Sequence, residues 1–388
     1  MKIFFIFKTF PLNWIKHRII NLPTNIRISY LWNLGSFLGI LLAFQTITGI
    51  FLSINFVRHS SIAFDSVILL TRERFFGFLL RWVHLNFSSL FFFIMYFHMF
   101  RGLFTLSFRL KSTWIRGTTI LLLVIGIAFI GYILPWGQIS LWGATVITNL
   151  LSTCPLIGQE LVIWVWGGFR VTSYTLGMFY SFHFLLPLLL WVFVFLHIVV
   201  LHERGSSSVL SLHTNENKIK FYYLFVIKDA LNFVIISVFL FFVFLSPFKL
   251  GDPENFSYAN PLRSPLHIQP EWYFLFAYAI LRSIPNKLGG VIGLLLSVAL
   301  FYIFPFFRKN KIILIKPHKV IVWGFLFISL ILTWIGGNPV ETPFIEIGQV
   351  FTFLYFLFIF LVIFLCIRIF VCEVHTLKVK HLFPILVR

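Results

Sequence analysis

Four histidines lie within long apolar runs of the chain, where polar side chains are costly and usually mark function. His84 and His98 belong to one run, and His183 and His197 belong to another. Each pair is separated by 14 residues, close to four helical turns. Both side chains of a pair therefore face the same way, about 21 Å apart along the helix axis. We interpret the pattern as two metal sites, each with one imidazole from each helix.

An interhelical hydrogen bond is the simplest explanation for any one membrane histidine, and it stays open for each of the four taken singly. It does not explain four histidines in two registers with one spacing. Two separate pairs also do not make a tetrahedral zinc site. Neutral imidazole pairs suit low-spin haem iron without a covalent thioether link, so the pattern predicts two non-covalent haem b groups.

Four glycines repeat the same interval of 14 residues, as Gly35 and Gly49 in one run and Gly117 and Gly131 in another. Ordinary packing of small residues explains any one of them. Because all four share the histidine interval, we expect these glycines to let helix backbones pass close to the flat macrocycles.

Two arginines flank the histidines of the first run. Arg81 precedes His84 by three residues, and Arg101 follows His98 by three. Guanidinium groups pair bidentately with carboxylates, so we expect one arginine near the propionates of each haem. Positive caps at the ends of a membrane span are the alternative, which fits Arg101 better than Arg81.

Composition places these helices in a membrane. Apolar residues make up 59% of the 388 residues and charged residues 11%, against about a quarter in soluble domains. Eight runs without Asp, Glu, Lys or Arg reach roughly the 20 residues that cross a bilayer as a helix. The sequence predicts an all-α polytopic membrane protein with eight transmembrane helices, spans A to H, at 34–54, 82–100, 117–135, 174–202, 230–248, 288–307, 320–340 and 347–367.

A ninth uncharged run, 138–159, contains several hydroxyl and amide side chains and is interrupted by Pro155. If it does not cross, 22 of the 31 Lys and Arg residues lie on the side of the two termini and nine on the other. The positive-inside rule then places both termini in the inner compartment, and we interpret 138–159 as interfacial helices. Spans B and D then run in the same direction, so their first histidines meet near the outer face and their second ones near the inner face.

The ends and connections complete the predicted organisation. Residues 1–30 mix basic and apolar residues and predict an amphipathic surface segment rather than a cleaved signal peptide. Residues 31–210 form a four-helix di-haem bundle (A to D), 228–370 a C-terminal four-helix domain (E to H), and 371–388 a basic tail. The three cysteines form no C-x-x-C pattern, which argues against a disulfide scaffold, a zinc site or covalent haem. The basic residues follow the loops between spans, so we expect no nucleic-acid partner.

Several strings of residues resemble the cytochrome b family, the central subunit of ubiquinol–cytochrome c reductase (respiratory complex III). The likeness runs from about residue 25 to about 365. Its most specific parts are the run from Gly131 to Asn149 and the Pro-Glu-Trp-Tyr loop that begins at Pro270. Other matching strings are Trp32 to Ser36, Trp166 to Phe169, His202 to Ser206, Gly251 to Asn255, and Ile284-Pro285.

This resemblance implies a quinol oxidation site near the outer face. Its candidate residues are Tyr132 and Gly143 in the long run, and Pro270, Glu271, Phe274 and Tyr278 in the loop between spans E and F. A carboxylate among aromatic neighbours is able to accept a proton from quinol and carry it outward. A solvated loop acid is the alternative for Glu271.

The resemblance also implies a quinone reduction site near the inner face. His202 and Asp229 would deliver protons there, with Asn33 and Ser206 as hydrogen-bond partners. Apart from the family likeness, His202 and Asp229 are also explained as ordinary polar residues at the ends of spans.

Together these sites imply the Q cycle. Ubiquinol is oxidised at the outer site, and one electron leaves to an iron–sulfur subunit and a cytochrome c-type subunit. The other electron crosses through the two b haems and reduces ubiquinone at the inner site, which contributes to a proton gradient. The resemblance implies a homodimeric complex among membrane lipids. The 53 Phe residues and eight spans favour the mitochondrial inner membrane, with both termini on the matrix side.

Three alternatives have distinguishable consequences. The plastid-type cytochrome b is split into two chains and spaces the histidines of span D one residue further apart than they are here. A transporter with histidines as proton relays would bind no chromophore. A purely structural subunit would keep quinone turnover after replacement of His98 by alanine.

Overall fold

The structure is a computed structural model, and it describes residues 20–26, 28–206, 218–307 and 315–382. Most of the predicted N-terminal surface segment, and the basic tail beyond residue 382, lie outside these residues. The described chain is mostly helical, which confirms the predicted all-α class. In chain order its helices are α1 (Leu34–Asn55), α2 (Ala63–Glu73), α3 (Gly77–Phe104), α4 (Lys111–Ile133), α5 (Gln138–Thr148), α6 (Gly158–Trp166), α7 (Ser173–Arg204), α8 (Phe221–Leu245), α9 (Leu275–Ser283), α10 (Lys287–Ala299), α11 (Ile315–Gly336) and α12 (Phe344–Leu382).

Eight helices of the described chain are long and apolar enough to cross a membrane. They are α1, α3, α4, α7, α8, α10, α11 and α12, which correspond to the predicted spans A to H. A helix is required there because it satisfies every backbone group internally, where lipid offers no hydrogen-bond partner. The prediction of eight transmembrane helices is confirmed.

The helices extend beyond the predicted spans where charges interrupt the apolar runs. α3 begins at Gly77, so Arg81 lies in its second turn rather than ahead of the span. α12 continues to Leu382, well past residue 367, where the predicted span ends. Charged residues end an apolar run in the sequence, but they do not end a helix, because its backbone groups are hydrogen-bonded within the segment itself.

The ambiguous run 138–159 does not form one crossing helix. It folds as α5, a 3-10 segment at Asn149–Thr153 and the start of α6. α5 has 11 residues and is about 16 Å long, roughly half of what the hydrocarbon core requires. The prediction that this run does not cross is confirmed.

Two short strands lie among the helices. β1 (Pro23–Asn25) pairs antiparallel with β2 (Lys218–Lys220), with Thr24 opposite Ile219. Within the predicted amphipathic surface segment, residues 23–25 are therefore extended, and not helical as an amphipathic helix would require. Pro23 explains the difference, because proline lacks an N–H and disrupts a helix interior.

The chain divides into two compact units. The first comprises Met1–Thr105 and Thr119–Ile268, and it contains α1 to α3, α5 to α8 and most of α4. The second comprises Leu106–Thr118 and Gln269–Arg388, and it contains α9 to α12 and the start of α4. Since α3, α7 and most of α4 belong to the first unit, that unit carries all four candidate histidine ligands.

Each unit has a buried core of its own. In the first, Ile133 and Leu176 belong to a cluster of buried apolar residues from α4, α5 and α7. In the second, Leu332 of α11 and Tyr355 of α12 are almost fully buried. The Tyr355 hydroxyl donates to the carbonyl oxygen of Ser297 in α10 at 2.9 Å, which satisfies this polar group in the core.

Candidate functional site

The first histidine pair, His84 and His183, lies between α3 and α7. The two ring centroids are 6.2 Å apart, and the ring planes are inclined at 86°. Two imidazole nitrogens bound to one metal ion at about 2 Å would place the ring centroids about 6 Å apart. The structure thus brings together the two residues that the sequence pairs, at a separation suited to one metal atom between them.

Each ring of the first pair has a hydrogen-bond partner at Nδ1. His183 Nδ1 lies 2.9 Å from the carbonyl oxygen of Ile127 in α4. A carbonyl only accepts, so His183 Nδ1 carries the proton and Nε2 keeps its lone pair for a metal. His84 Nδ1 lies 2.9 Å from Thr48 Oγ1 in α1. Neither Thr48 nor Ile127 was predicted from the sequence as a partner of these histidines.

The second histidine pair, His98 and His197, lies on the same two helices, α3 and α7. Arg101, one turn further along α3, places its Nη2 3.2 Å from His98 Nδ1. Its guanidinium also lies over the Trp32 ring, 5.3 Å from the centroid. The Arg101 Nε is buried and finds no hydrogen-bond partner among the described residues. A buried guanidinium donor of this kind suits a carboxylate, such as a haem propionate.

Three of the four predicted glycines lie against the histidine rings. The distances from an added Cβ to the ring Cε1 atom are 3.4 Å for Gly35 and His98, 3.1 Å for Gly49 and His84, and 2.3 Å for Gly131 and His183. The space left by these glycines is thus occupied by imidazoles, whereas the sequence interval led us to expect a macrocycle there. Gly117 lies in the second turn of α4.

Arg81 lies one turn before His84 on α3. Its Nη1 donates to Thr71 Oγ1 of α2 at 3.3 Å. Its guanidinium lies 5.8 Å from the ring centroid of Phe248 and 5.5 Å from that of Phe256. Cation–π contacts of this kind hold the charge in a partly apolar setting.

A polar network joins the start of α1 to α8. Asp229 Oδ1 accepts from Asn33 Nδ2 at 2.6 Å and from Ser36 Oγ at 2.5 Å. Asn232 Nδ2 donates to Ser36 Oγ at 3.2 Å, and the Tyr30 hydroxyl donates to Asn232 Oδ1. The structure therefore brings Asn33 and Asp229 together, and it adds three side chains that sequence analysis missed. They could have been noticed as polar residues within two apolar runs.

The other two residues predicted for the inner quinone reduction site lie at the end of α7. His202 is half-buried in its last turn. Ser206 is exposed just after the helix, following Gly205, whose φ of 77° is in the left-handed region.

Tyr132 and Gly143 belong to the first unit. Tyr132 is half-buried at the end of α4, and its carbonyl oxygen accepts from Ser140 Oγ at 2.7 Å. A Cβ added to Gly143 in α5 would meet nothing within 4 Å. The backbone at Gly143 therefore has open space beside it, which a ligand could use.

The remaining candidates belong to the second unit. Glu271 precedes a 3-10 turn at Trp272–Phe274, and the Phe274 N–H donates to its carbonyl oxygen at 2.9 Å. The Glu271 Oε1 atom is buried. Pro270, Phe274 and Tyr278 are half-buried, and the Tyr278 ring lies under the Arg282 guanidinium, 5.1 Å from ring centroid to Cζ.

Comparison with known proteins decides the family. Residues 19–205 match the family described as cytochrome b/b6/petB, and residues 258–356 match the family described as cytochrome b(C-terminal)/b6/petD. This chain belongs to the cytochrome b family. A chain from a solved hyperthermophilic respiratory Complex III is similar to it with a TM-score of 0.84 and 28% sequence identity. The match covers 95% of this chain and 100% of that chain.

The family assignment accounts for the small number of side chains at each candidate metal site. In the described part of this cytochrome b, no group of three or more His, Cys, Asp or Glu side chains comes together as a metal site. Each histidine pair therefore offers two imidazoles, which suits haem iron because the macrocycle supplies the other ligands. The ring separation at His84 and His183, and the buried Nε of Arg101, both fit haem.

Proposed function

We propose that this cytochrome b is the di-haem subunit of a quinol–cytochrome c reductase that works by the Q cycle. It would oxidise ubiquinol at one face of the membrane and reduce ubiquinone at the other. The observation that carries the proposal is the opposed pair of imidazoles, with the His84 and His183 centroids 6.2 Å apart inside a bundle of membrane helices. The likeness to a chain of a respiratory Complex III supports it.

The proposed ligands are His84 and His183 for an outer haem b, and His98 and His197 for an inner one. Haem b supplies one-electron transfer when bound. The chain's own contribution is to hold the His84 and His183 imidazoles with Nε2 free for iron, to leave room for the rings and to neutralise carboxylates. We propose that the glycines of α1 and α4 leave this room, and that Arg81 and Arg101 neutralise the haem carboxylates.

For quinol oxidation we propose Glu271 as the proton acceptor. Its Oε1 atom is buried, and three aromatic residues follow it in the sequence, so the carboxylate is placed to accept a proton from a bound quinol. Pro270, Phe274 and Tyr278 would shape the ring pocket. Tyr132 and Gly143 are proposed for the same reaction from the family resemblance.

For quinone reduction we propose Asp229 as the proton donor. Asn33 and Ser36 both donate to one of its oxygens, so the other oxygen is the one to carry and release a proton. His202 and Ser206 are proposed at this site from the family resemblance.

The proposed partners are an iron–sulfur subunit and a cytochrome c-type subunit, in a complex that is a homodimer. The proposed location is the mitochondrial inner membrane, with both termini on the matrix side. The excess of Lys and Arg on the side of the termini supports the orientation. The content of 53 Phe residues supports an organelle genome with a bias toward A and T.

A redox-titrated optical spectrum of the purified complex tests the proposal. We expect two b-type absorption bands with separate midpoint potentials, and we expect His98→Ala to remove one band and to stop quinone reduction. His59→Ala is the matched control, because the His59 side chain is exposed and its ring hydrogen-bonds to nearby Ser61, away from the four candidate ligands. A colourless protein, as for a transporter, would overturn the proposed function.

A further inference from the structure

The α1 helix presents three residues to one histidine of the first pair. Gln45 Nε2 donates to the His84 carbonyl oxygen at 3.0 Å, Thr48 Oγ1 contacts His84 Nδ1, and Gly49 lies against the ring. Their spacing of three and four residues places all three on one face of α1. This face both leaves room for His84 and forms hydrogen bonds with it.

The Thr48 hydroxyl has only one proton, and the structure shows where it goes. Thr48 Oγ1 lies 2.7 Å from the carbonyl oxygen of Phe44 and 3.3 Å from that of Gln45, and carbonyl oxygens only accept. The proton is therefore directed to the backbone of α1. Toward His84 Nδ1, at 2.9 Å, the hydroxyl oxygen must accept, so Nδ1 carries the proton and Nε2 has the lone pair.

At His98 of the second pair, α1 offers no threonine in the corresponding position. The glycine of α1 recurs 14 residues earlier, as Gly35 beside His98, but the residue 14 positions before Thr48 is Leu34. Leucine has no hydrogen-bonding group. His98 Nδ1 instead faces Arg101 Nη2, which only donates. The Thr48 hydroxyl contact to His84 therefore has no counterpart from α1 at His98 among the described residues.

We propose that Thr48 is a positioning residue that fixes the His84 tautomer and lowers the midpoint potential of the metal centre held by the first pair. A hydroxyl oxygen that accepts a hydrogen bond from Nδ1–H makes the imidazole a stronger electron donor through Nε2. A stronger donor stabilises ferric over ferrous iron and opposes one-electron reduction. This inference rests on the proposed haem ligation by His84 and His183.

The test is a potentiometric titration of the whole complex with dithionite and ferricyanide, followed by optical spectra. We expect Thr48→Val, which keeps the shape and removes the hydroxyl, to raise one of the two midpoint potentials and to leave the other unchanged. Loss of an outer hydrogen bond commonly changes metal equilibria at least tenfold, and a tenfold change in a one-electron equilibrium is about 59 mV. Thr48→Ser should restore the original potential.

Thr46→Val is the matched control on the same helix. Thr46 Oγ1 donates to the Leu42 carbonyl oxygen at 2.8 Å and accepts from Trp191 Nε1 at 3.1 Å. We expect both potentials to keep their values in this variant.

The inference is overturned if Thr48→Val leaves both potentials unchanged, if Thr46→Val shifts the same one equally, or if Thr48→Ser behaves like Thr48→Val. Should Thr48→Val lose one chromophore, Thr48→Ser decides: retention of both supports the role of the hydroxyl, and loss overturns it. If the unmodified complex has no pair of b-type bands, the proposed function itself fails. If the bands are present and insensitive to Thr48, only this inference fails.

Discussion

The three glycines that touch histidine rings differ in how much room they leave. An added Cβ would lie 2.3 Å from the nearest ring atom at Gly131, 3.1 Å at Gly49 and 3.4 Å at Gly35. Only the first of these distances is impossible without movement of the ring. His183 itself is held by its hydrogen bond to the Ile127 carbonyl, so the ring has little freedom to give way.

Gly131→Ala should therefore displace His183 and remove the b-type band of the first histidine pair. Overpacking of this kind costs about 1–3 kcal/mol, and the lost ligand geometry adds to it. Gly126→Ala is the control in the same helix, because a Cβ there meets nothing within 4 Å. The measurement is the reduced-minus-oxidised spectrum of each variant. Equal spectra for the two variants would contradict the assigned contact.

The sequence predicted which histidines pair, because the 14-residue spacing and the shared direction of spans B and D leave few arrangements. It did not predict Thr48. Thr46, Thr48 and Thr145 each donate to the carbonyl four residues earlier, which is the common behaviour of threonine in a helix. Only the packing of α1 against α3 shows that one of these hydroxyls also meets an imidazole. The order of residues along one helix does not reveal which threonine contacts a histidine.

The segments between the spans also show how far the sequence alone predicts the elements. The charge count correctly showed that 138–159 does not cross the membrane, because a crossing would reverse every later loop. It gave no signal for α2 or α9, which are short helices in the segments between spans. Short helices outside lipid depend on packing against neighbours more than on their own periodicity.

α9 contributes an arginine to the end of α11. Arg282 Nη2 donates to the Asn338 carbonyl oxygen at 2.7 Å and to the carbonyl oxygen of Ile335 in the last turn of α11. Burial lowers the pKa of the Arg282 guanidinium, which reflects its partial separation from water. A cation at this end also interacts favourably with the helix dipole.

Arg282→Ala should lower the thermal midpoint of the complex, because it removes the Arg282 donor to the Asn338 carbonyl oxygen, at about 1–3 kcal/mol, and one of the two donors to the Ile335 carbonyl oxygen. Arg282→Lys should lose less, since an ammonium still donates but does not form the planar fork. Arg263→Ala is the control, because Arg263 is exposed. Differential scanning calorimetry compares them, and equal midpoints for Arg282→Ala and Arg263→Ala would contradict the capping role.

The described part of the molecule has eight apolar helices, and the sequence adds a strong charge asymmetry between the predicted loops. The helices alone allow either orientation in the membrane. The asymmetry selects one, because Lys and Arg near span ends favour the compartment of synthesis and insertion. The domain boundaries at 31–210 and 228–370 remain a prediction, as does the side on which the termini lie.

Two exposed positions on either side of α7 test the orientation. Leu156 is 98% exposed before this helix, and Lys218 is exposed after it. In a background without the three native cysteines, Leu156→Cys should react with an impermeant maleimide only from the outer side, and Lys218→Cys only from the matrix side. Leu262→Cys, 94% exposed in the segment after α8, should label with Leu156→Cys because two spans separate them. Mitoplasts and inverted vesicles expose opposite faces of the membrane. Reversed labelling would contradict the orientation. Labelling of Leu156→Cys and Lys218→Cys from the same side would contradict the crossing of α7.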